Sequence, residues 1–587
     1  MVVLVTPIII ISICGIVHAW SPTGGYAPGP VSCPEGSLLR SAESLLEEEV
    51  GYVNDRLKIA TTALVDFVNR ADRLDFDAAA LVKASEIRVG LAFSGGGYRA
   101  MLVGAGEFAA LDSRTEGTLE KGHLGGLLQA STYITGLSGG SWLMASIYMQ
   151  NFTTINSLIA DEYTWDLSYF AIDTQGGLEE TERILTDPMS KMESGFRISL
   201  TDIWGRILSQ QMISLPDRGA SLEWSDMINW DWFKQRQAPY PIFLATDRMP
   251  IENLASPDAS IFEITPYELG SFDPEVYAFT PLKYLGTELE NGVPTGDCIS
   301  GYDNAGFLFG TSSTVFDLAI HNGLERISGD ETLSDILDPV LNTVTADVAI
   351  YKPNPFLQFS NPVGVSSIVN STDTLYLVDG GENGIVAPMQ PLLHPSRDVD
   401  VMFVFDTNMD DTPQGWPNGS SLINQYRRQF SVQADPANPY TFPYVPDSNT
   451  FINEGLVSRP TFFGCDGQNL TSLGGKTPPL LVYMANHPYS YWSNVTVMKL
   501  TYGTDEALGM INNGYNIMTQ LNGTRDPDWH SCVSCAIVKR EMERRHEPVS
   551  QFCRGCFEKY CWDGTVNSTN ASRAPDINPS LLSTPIF

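Results

Sequence analysis

The fold is decided by the stretch Tyr133-Ile134-Thr135-Gly136-Leu137-Ser138-Gly139-Gly140, which leads into the helix-compatible residues 141–150. A short apolar strand, a glycine turn that carries one serine and an apolar helical stretch follow one another without a break. The same order occurs upstream, where a buried strand at 87–93 leads through Ser94-Gly95-Gly96-Gly97 into helix-compatible residues 98–113. Two successive units of strand, glycine turn and helix predict an α/β fold.

Apolar periodicity predicts further elements along the chain. Helical spacing at 42–73 predicts a packing helix, and apolar runs at 374–378, 399–405 and 480–484 predict strands. No convincing linker interrupts residues 20–587, so we interpret them as a single domain.

The segment 151–370 shows no regular pattern and is rich in Trp, Tyr and Pro. We interpret it as a large insertion, a cap or lid over the sheet. The indole ring of tryptophan combines an apolar body with a polar N–H group. The tryptophans of this segment include Trp204, Trp224, Trp230 and Trp232.

Composition limits the function. The 587 residues are 43% hydrophobic and 18% charged, which suffices for a large buried core and excludes collagen-like, coiled-coil and disordered chains. Acidic residues number 69 against 35 basic ones, giving a net charge of -34. Such a charge opposes binding to nucleic acid and to strongly anionic lipid surfaces. We therefore expect no nucleic-acid partner.

The amino terminus predicts export. Residues 1–19 hold an apolar stretch that closes on Val17-His18-Ala19, as a cleaved secretory signal does. An uncleaved anchor is the alternative, but the stretch is short for a membrane span and no other segment approaches that length. Eight Asn-x-Ser/Thr sequons agree with a secreted, extracellular glycoprotein. They begin at Asn151, Asn370, Asn418, Asn469, Asn494, Asn522, Asn567 and Asn570.

The cysteines agree with export. Besides Cys14 in the leader, eight remain, an even number that suggests disulfides in an oxidising compartment. In the cysteine-rich segment 530–565, two Cys-x2-Cys pairs begin at Cys532 and Cys553, with the spacing of a four-thiolate zinc ribbon. Export favours disulfides over zinc, and Cys561 offers a further pairing partner.

Ser138 is the candidate nucleophile. It is the serine of a Gly-x-Ser-x-Gly motif, the strand-to-helix elbow in which glycines make room for a strained turn that exposes the hydroxyl. The helix that begins there brings the positive end of its dipole to the serine. A plain glycine turn is the alternative interpretation of the motif.

The glycine loop after the first strand has two interpretations. Its spacing also matches a dinucleotide-binding fingerprint, but a secreted protein meets little NAD, and no second strand with an acidic end follows at the right distance. The favoured interpretation is an oxyanion hole, with bare N–H groups from Gly96 and Gly97. Arg99 would then hold a substrate phosphate with two donors, a surface salt bridge being its alternative role.

Asp379 directly follows the predicted strand 374–378 within Asp379-Gly380-Gly381. We expect its carboxylate to project from the same strand-end edge as the two glycine loops, although Asp-Gly also forms ordinary turns. A serine needs a base, and His394 and His487 follow Asp379 in the order of a Ser-Asp-His triad. His487 follows a predicted strand, which makes it the stronger of the two candidates.

These motifs together resemble the fungal secreted phospholipase B (lysophospholipase) family. The likeness is carried by Ser94–Met101 (SGGGYRAM), Gly136–Trp142 (GLSGGSW) and Val378–Glu382 (VDGGE). Further matches lie at 200–206, 460–465 and 556–562, so the likeness covers almost the whole mature chain.

The resemblance implies both a fold and a chemistry. The family's catalytic core is similar to cytosolic phospholipase A, a patatin-like three-layer α/β/α architecture with a central mixed sheet and a Ser/Asp dyad that works without histidine. Carried over motif by motif, Ser138 is the nucleophile, Asp379 the general base, Gly96 and Gly97 the oxyanion donors and Arg99 the phosphate ligand. No cofactor or metal is implied.

The implied substrates are lysophospholipids, and also diacyl phospholipids, in micelles or membranes, hydrolysed through an acyl-enzyme. With such substrates, we expect the tryptophans of 151–370 to face lipid. The net charge of -34 predicts a preference for zwitterionic or dispersed lipid. This sequence departs from the family pattern at Ile385-Val386, where a polar Gln-Asn pair is expected. Two alternatives stand beside this interpretation: a Ser-His-Asp esterase that uses His487, and a catalytically silent surface glycoprotein.

Overall fold

The computed structural model describes residues 21–171, 178–249, 255–316, 346–365, 367–409, 415–434, 439–471 and 476–571. The leader 1–19 and His321 lie outside the described residues. The prediction of a secretory signal therefore stays a prediction.

The strands agree with the sequence pattern where that pattern is strongest. The strands predicted at 87–93, 133–135, 374–378, 399–405 and 480–484 are all present, with ends that differ by at most two residues. In chain order the strands are β1 (Gly29–Val31), β2 (Arg40–Ser41), β3 (Val89–Phe93), β4 (Tyr133–Gly136), β5 (Tyr240–Asp247), β6 (Ile261–Ile264), β7 (Glu268–Ser271), β8 (Ala278–Pro281), β9 (Leu289–Glu290), β10 (Val293–Pro294), β11 (Cys298–Ser300), β12 (Ala349–Tyr351), β13 (Leu375–Val378), β14 (Val401–Asp406), β15 (Thr461–Phe463) and β16 (Leu480–Ala485).

The helix predicted within 42–73 is α1, which buries Val53, Leu57, Leu64 and Val68 along one face. The helices are α1 (Glu47–Asn69), α2 (Ala78–Lys83), α3 (Gly97–Leu111), α4 (Leu127–Ala130), α5 (Gly139–Tyr148), α6 (Ile155–Ala160), α7 (Leu178–Glu193), α8 (Leu200–Met212), α9 (Asp231–Lys234), α10 (Ala305–Thr311), α11 (Gln390–Leu393), α12 (Ser420–Arg428), α13 (Ser448–Asn453), α14 (Gly467–Thr471), α15 (Thr504–Thr519), α16 (Trp529–Arg544) and α17 (Gln551–Tyr560).

One large mixed sheet organises the chain, with the strand order β15-β16-β14-β3-β4-β5-β6-β7-β8-β2. Its centre, from β16 to β5, is parallel, and the strands outside this centre pair antiparallel. The parallel strands are apolar and buried along nearly their whole length, as strands covered on both faces must be. Their carboxyl ends meet at one edge of the sheet, here called the carboxyl edge.

Helices cover both faces of the sheet, and the side chains of β3 and β4 show which helix covers which face. Phe93 packs against α3, and a Cβ on the neighbouring Gly136 would meet Met144 of α5, so α3 and α5 cover the same face. Tyr133 points to the opposite face, where its hydroxyl donates to Glu49 of α1. The predicted three-layer α/β/α architecture is therefore confirmed.

The segment 151–370 is more regular than its sequence indicates. It contributes β5, β6, β7 and β8, which continue the central sheet, and it also provides β12. The expectation that its tryptophans face lipid is wrong, because all four are buried. Trp204 and Trp224 lie fully inside the core, and Trp232 stacks on Phe152.

Four disulfides tie the periphery together. Cys532–Cys556 and Cys535–Cys553 join α16 to α17, so the cysteines with zinc-ribbon spacing form disulfides, as the sequence favours. Cys465–Cys561 and Cys33–Cys298 complete the set. Within the described ranges, no group of three or more His, Cys, Asp or Glu side chains is arranged to hold a metal ion. Among the described helices, none combines the length and apolar character needed to span a bilayer.

Candidate active site

Ser138 stands at the apex of a sharp turn between β4 and α5. Its φ of 49° and ψ of -120° lie in a region that residues other than glycine rarely adopt. The following glycines allow the turn to pack closely. A Cβ on Gly139 would come within 2.1 Å of the Gly97 carbonyl oxygen, and one on Gly140 within 2.2 Å of the Phe93 carbonyl oxygen. The turn has the geometry of a nucleophile elbow at the carboxyl edge.

Ser312, which sequence reasoning missed, anchors this turn. The backbone N–H of Ser138 donates to both the carbonyl oxygen and the Oγ of Ser312, each at 3.1 Å. The Ser312 hydroxyl in turn donates to the Leu244 carbonyl oxygen of β5 at 2.7 Å. The available sequence signal was weak: a run of hydroxyl residues, 311–314, that closes the apolar helix α10 and is fully buried.

Asp379 reaches the site from an unexpected direction. A strand parallel to β4 would bring its carboxyl end to this edge, but β13 pairs antiparallel with β5, with Val378 opposite Thr246. Thr246 also pairs with Ile261 of β6, so β6 lies on one side of β5 while β4 and β13 share the other. The ends of β4 and β13 therefore face each other, and Ser138 and Asp379 follow those two ends.

The Asp379 carboxyl lies beside the candidate nucleophile. It accepts the Gly381 N–H at 2.7 Å. Burial raises the pKa of Asp379 to about 7, because the charged form loses its hydration, while the Gly381 N–H and the neighbouring Ser138 side chain act in the lowering direction. The nearby Glu382 carboxylate adds a smaller rise. A carboxyl that titrates near neutrality is suited to general-base catalysis.

The glycine loop between β3 and α3 passes directly beside Ser138. A Cβ on Gly95 would lie 3.1 Å from the Cβ of Ser138. The N–H of Gly95 donates to the Val386 carbonyl oxygen at 3.0 Å, whereas those of Gly96 and Gly97 have no acceptor among the described residues. Gly96 has a φ of 138°, which requires glycine. Two such N–H groups at a helix N-terminus suit an anionic oxygen.

Arg99 lies in the first turn of α3, behind the glycine loop. Its Nε donates to the Thr407 carbonyl oxygen at 3.0 Å and its Nη1 to the Val495 carbonyl oxygen at 2.7 Å. A Cβ on Gly96 would come within 2.7 Å of its Nη2. The alternative of a surface salt bridge does not fit a side chain that is 1% exposed. The guanidinium places a fixed positive charge against the loop.

The candidate histidines are not part of this arrangement. His394 lies near the amino end of β14 and packs against Phe272, with ring centroids 4.0 Å apart and ring planes tilted by 32°. His487 follows β16 at the carboxyl edge, where it packs against Trp416, but β14 and β3 separate β16 from β4, a spacing of roughly 14 Å. Burial lowers the pKa of each imidazole to about 3. The described contacts of His487 do not include Ser138.

A serine at a strained elbow beside a buried carboxyl, at the carboxyl edge of an α/β sheet, is an arrangement suited to ester hydrolysis, and the match to a lysophospholipase catalytic domain shows that this protein is a carboxylic ester hydrolase. More particularly, the chain belongs to the lysophospholipase family: the model of the lysophospholipase catalytic domain matches residues 89–567. The resemblance stated from the sequence motifs is thereby confirmed.

Relatives and solved structures agree with this assignment. Lysophospholipase 1 of Candida albicans is 44% identical over 573 residues, covering 95% of this chain and 92% of its own. Lysophospholipase 3 of Saccharomyces cerevisiae is 42% identical, covering 94% and 83%. The structure of human GIVD cytosolic phospholipase A2 matches with a TM-score of 0.63 at 18% identity, covering 86% of this chain and 67% of that one. This last likeness confirms the predicted fold.

Proposed function

We propose that the protein is a secreted lysophospholipase that releases fatty acid from lysophospholipids, and also from diacyl phospholipids, through Ser138 and Asp379. The observation that carries this proposal is the position of the Asp379 carboxyl beside Ser138 at the strained elbow, where the ends of β4 and β13 meet. Relatives named lysophospholipase, at 40–44% identity, support the substrate class.

The chemistry follows from the two side chains. Asp379 takes the hydroxyl proton of Ser138 while Oγ attacks the ester carbonyl carbon, and a tetrahedral oxyanion forms. The bond from that carbon to the alcohol oxygen of glycerol breaks, and the leaving oxygen receives the proton from Asp379. Water then attacks the acyl-Ser138 carbonyl and gives its proton to Asp379. The serine ester bond breaks, Ser138 recovers its proton and the fatty acid leaves.

The oxyanion is stabilised by backbone N–H groups. Gly96 and Gly97 supply donors from the loop before α3, and Gly139, the residue after the nucleophile, supplies one from the start of α5. The close contact between Gly139 and Gly97 supports this role, because it brings the positive ends of two helix dipoles together beside Ser138. Arg99 adds a buried charge that favours the substrate phosphate.

The histidine triad is the less favoured mechanism. The Ser138 side chain acts on the Asp379 carboxyl, and no imidazole is among the described contacts of either residue. A lowered pKa of about 3 also makes the His487 imidazole a weak base.

The decisive experiment is fatty-acid release from lysophosphatidylcholine. We expect turnover by the full chain and a loss of at least about a thousandfold in kcat for Ser138→Ala and for Asp379→Asn, each with an unchanged circular dichroism spectrum. Mass spectrometry after treatment with a lipid fluorophosphonate should locate the adduct on Ser138. No release by the unmodified chain would contradict the enzymatic proposal and favour the silent glycoprotein.

We infer that the protein is exported and glycosylated. All eight cysteines outside the leader are paired in disulfides, which persist in oxidising compartments. The eight sequon asparagines are exposed or partly exposed, so burial does not prevent the glycosylation of any of them. Amino-terminal sequencing of the protein from culture medium, with its mass before and after removal of N-glycans, tests both points.

A further inference from the structure

A cavity of about 370 Å³ opens on the helical face of the molecule, between the segment 159–168 and α15. Its volume lies in the range of small-molecule sites. The residues that line it are Leu102, Ile159, Asp161, Glu162, Thr164, Trp165, Asp166, Leu167, Ser168, Tyr502, Thr504, Ala507, Leu508 and Ile511. Neither Ser138 nor Asp379 is among them, so the cavity is separate from the candidate active site.

The cavity combines an apolar wall with an acidic border. Aliphatic side chains from α3, α15 and the segment 159–168 form the wall, among them Leu102, Leu167 and Ile511, which are buried. Asp161, Glu162 and Asp166 are the charged members, and the described lining includes no Lys or Arg. An apolar wall with a purely acidic border fits an apolar body with a cationic end and disfavours an anionic one.

Aromatic side chains complete the lining of the cavity. Tyr502 is one of them, and its side chain is 3% exposed. The Trp165 ring also lines the cavity, and aromatic faces attract quaternary ammonium groups.

The cavity lies near the glycine loop of the candidate active site along α3, although it is separate from that site. Leu102 lies five residues after Gly97 on α3, a rise of about 7.5 Å along the helix. The Tyr502 ring contacts that of Tyr98, the residue between Gly97 and Arg99. Helix α15, which also lines the cavity, packs tightly against α3. A Cβ on Gly106 of α3 would lie 1.8 Å from the carbonyl oxygen of Ile511 in α15.

We propose that this cavity binds a single-chain amphiphile with a quaternary ammonium head, a second molecule of choline lysophospholipid held apart from Ser138. The hydrocarbon chain packs on the aliphatic wall, and the trimethylammonium group lies among the three carboxylates and the Trp165 ring. The choice of a lysophospholipid as the ligand rests on the proposed function. A lipid bound in this cavity keeps the enzyme on aggregates of its substrate without attraction to anionic surfaces.

The test measures binding of decylphosphocholine, below the concentration at which it forms micelles, by equilibrium dialysis with full-length Ser138→Ala protein. Ala507→Trp fills the cavity with an indole and should lower by one the number of decylphosphocholine molecules bound per protein. Asp161→Asn, Glu162→Gln and Asp166→Asn together keep the shape but remove the charge, and should raise Kd for that molecule about tenfold. Asp505→Asn, on an exposed residue of α15 that does not line the cavity, is the matched control and should leave Kd unchanged.

Equal stoichiometry and Kd in all these variants would overturn the proposal, and so would equal binding of decyl sulfate, which carries the same chain on an anionic head. The thermal unfolding temperature of each variant checks that it is folded. Failure here is distinguishable from failure of the proposed function, because binding is measured on catalytically inactive protein, whereas the proposed function fails only if the unmodified chain does not hydrolyse lysophosphatidylcholine.

Discussion

Ser138 and Asp379 follow the ends of two strands that approach each other head to head along the same side of β5. The last pair of β4 is Gly136 with Phe243, and that of β13 is Val378 with Thr246, so only two residues of β5 separate the strand ends. Strand pairing on both sides of the gap fixes the distance between Ser138 and Asp379, the proposed nucleophile and base. The site is therefore as rigid as the sheet itself.

The pKa of Asp379 predicts the pH dependence of the reaction. The base must be ionised to accept the Ser138 proton, and burial raises its pKa to about 7. We therefore expect kcat/KM to rise with pH through a single ionisation near 7 and to level off above it. Initial rates on monomeric lysophosphatidylcholine from pH 4 to 9 test this. A profile that is flat through neutrality would show that Asp379 does not titrate in this range.

Asp379→Asn should gain stability at alkaline pH as it loses activity. A folded pKa of about 7 lies above the ordinary aspartate pKa of 3.8, so between these pH values the folded state binds a proton that the unfolded state does not. The unfolding free energy of the unmodified protein therefore falls as pH rises from 4 to 7, by up to about 4 kcal/mol from this group. The thermal unfolding temperatures of the unmodified protein and of Asp379→Asn should differ more at pH 8 than at pH 4. An equal difference at both values would contradict the raised pKa.

Ser312→Ala should impair catalysis without abolishing it. The substitution removes one of the two acceptors for the Ser138 N–H and leaves the Leu244 carbonyl without its donor, a loss of about 1 kcal/mol. We expect kcat to fall several-fold because the strained elbow is held less firmly, with little change in KM. Ser312→Thr keeps the hydroxyl and should restore most of the rate. A variant with unchanged kcat would remove Ser312 from any positioning role.

Gly139→Ala should be severely damaging, while Gly555→Ala should not. The new methyl group at 139 would lie 2.1 Å from the Gly97 carbonyl oxygen, which forces α5 away from the glycine loop. We expect at least about a hundredfold loss of kcat/KM together with lower stability. Gly555 lies in α17 with nothing within 4 Å of the new methyl, so alanine there should stabilise the helix slightly. Near-normal activity of Gly139→Ala would contradict the packed elbow.

His487→Ala should retain catalysis. The imidazole packs against Trp416 and Tyr489, so its loss leaves a small cavity and costs stability. The expected kcat at a temperature where the variant is folded lies within about threefold of the unmodified enzyme. An inactive His487→Ala beside an active Asp379→Asn would reverse the roles proposed for these residues.

Local signals in the sequence were sufficient to predict the two units of strand, glycine turn and helix, and the position of Ser138 in the second turn. Strand, turn and helix follow one another directly there. The path of Asp379 was not predictable, since the direction of β13 depends on its pairing with β5, far away in sequence. Ser312 was missed for the same reason: its bond to Ser138 spans 174 residues. The expectation that the tryptophans of 151–370 face lipid was wrong, because composition does not distinguish a core from a lipid-facing surface.

The head-to-head ends of β4 and β13 have a consequence for biosynthesis. A chain that has been synthesised as far as residue 370 already contains Ser138 and the whole glycine loop, yet it lacks the base. The proposed dyad forms only after β13 has joined β5, so we expect truncated or incompletely folded products to be inactive. The order of folding would thus protect the membranes of the producing cell from unfinished copies of the enzyme.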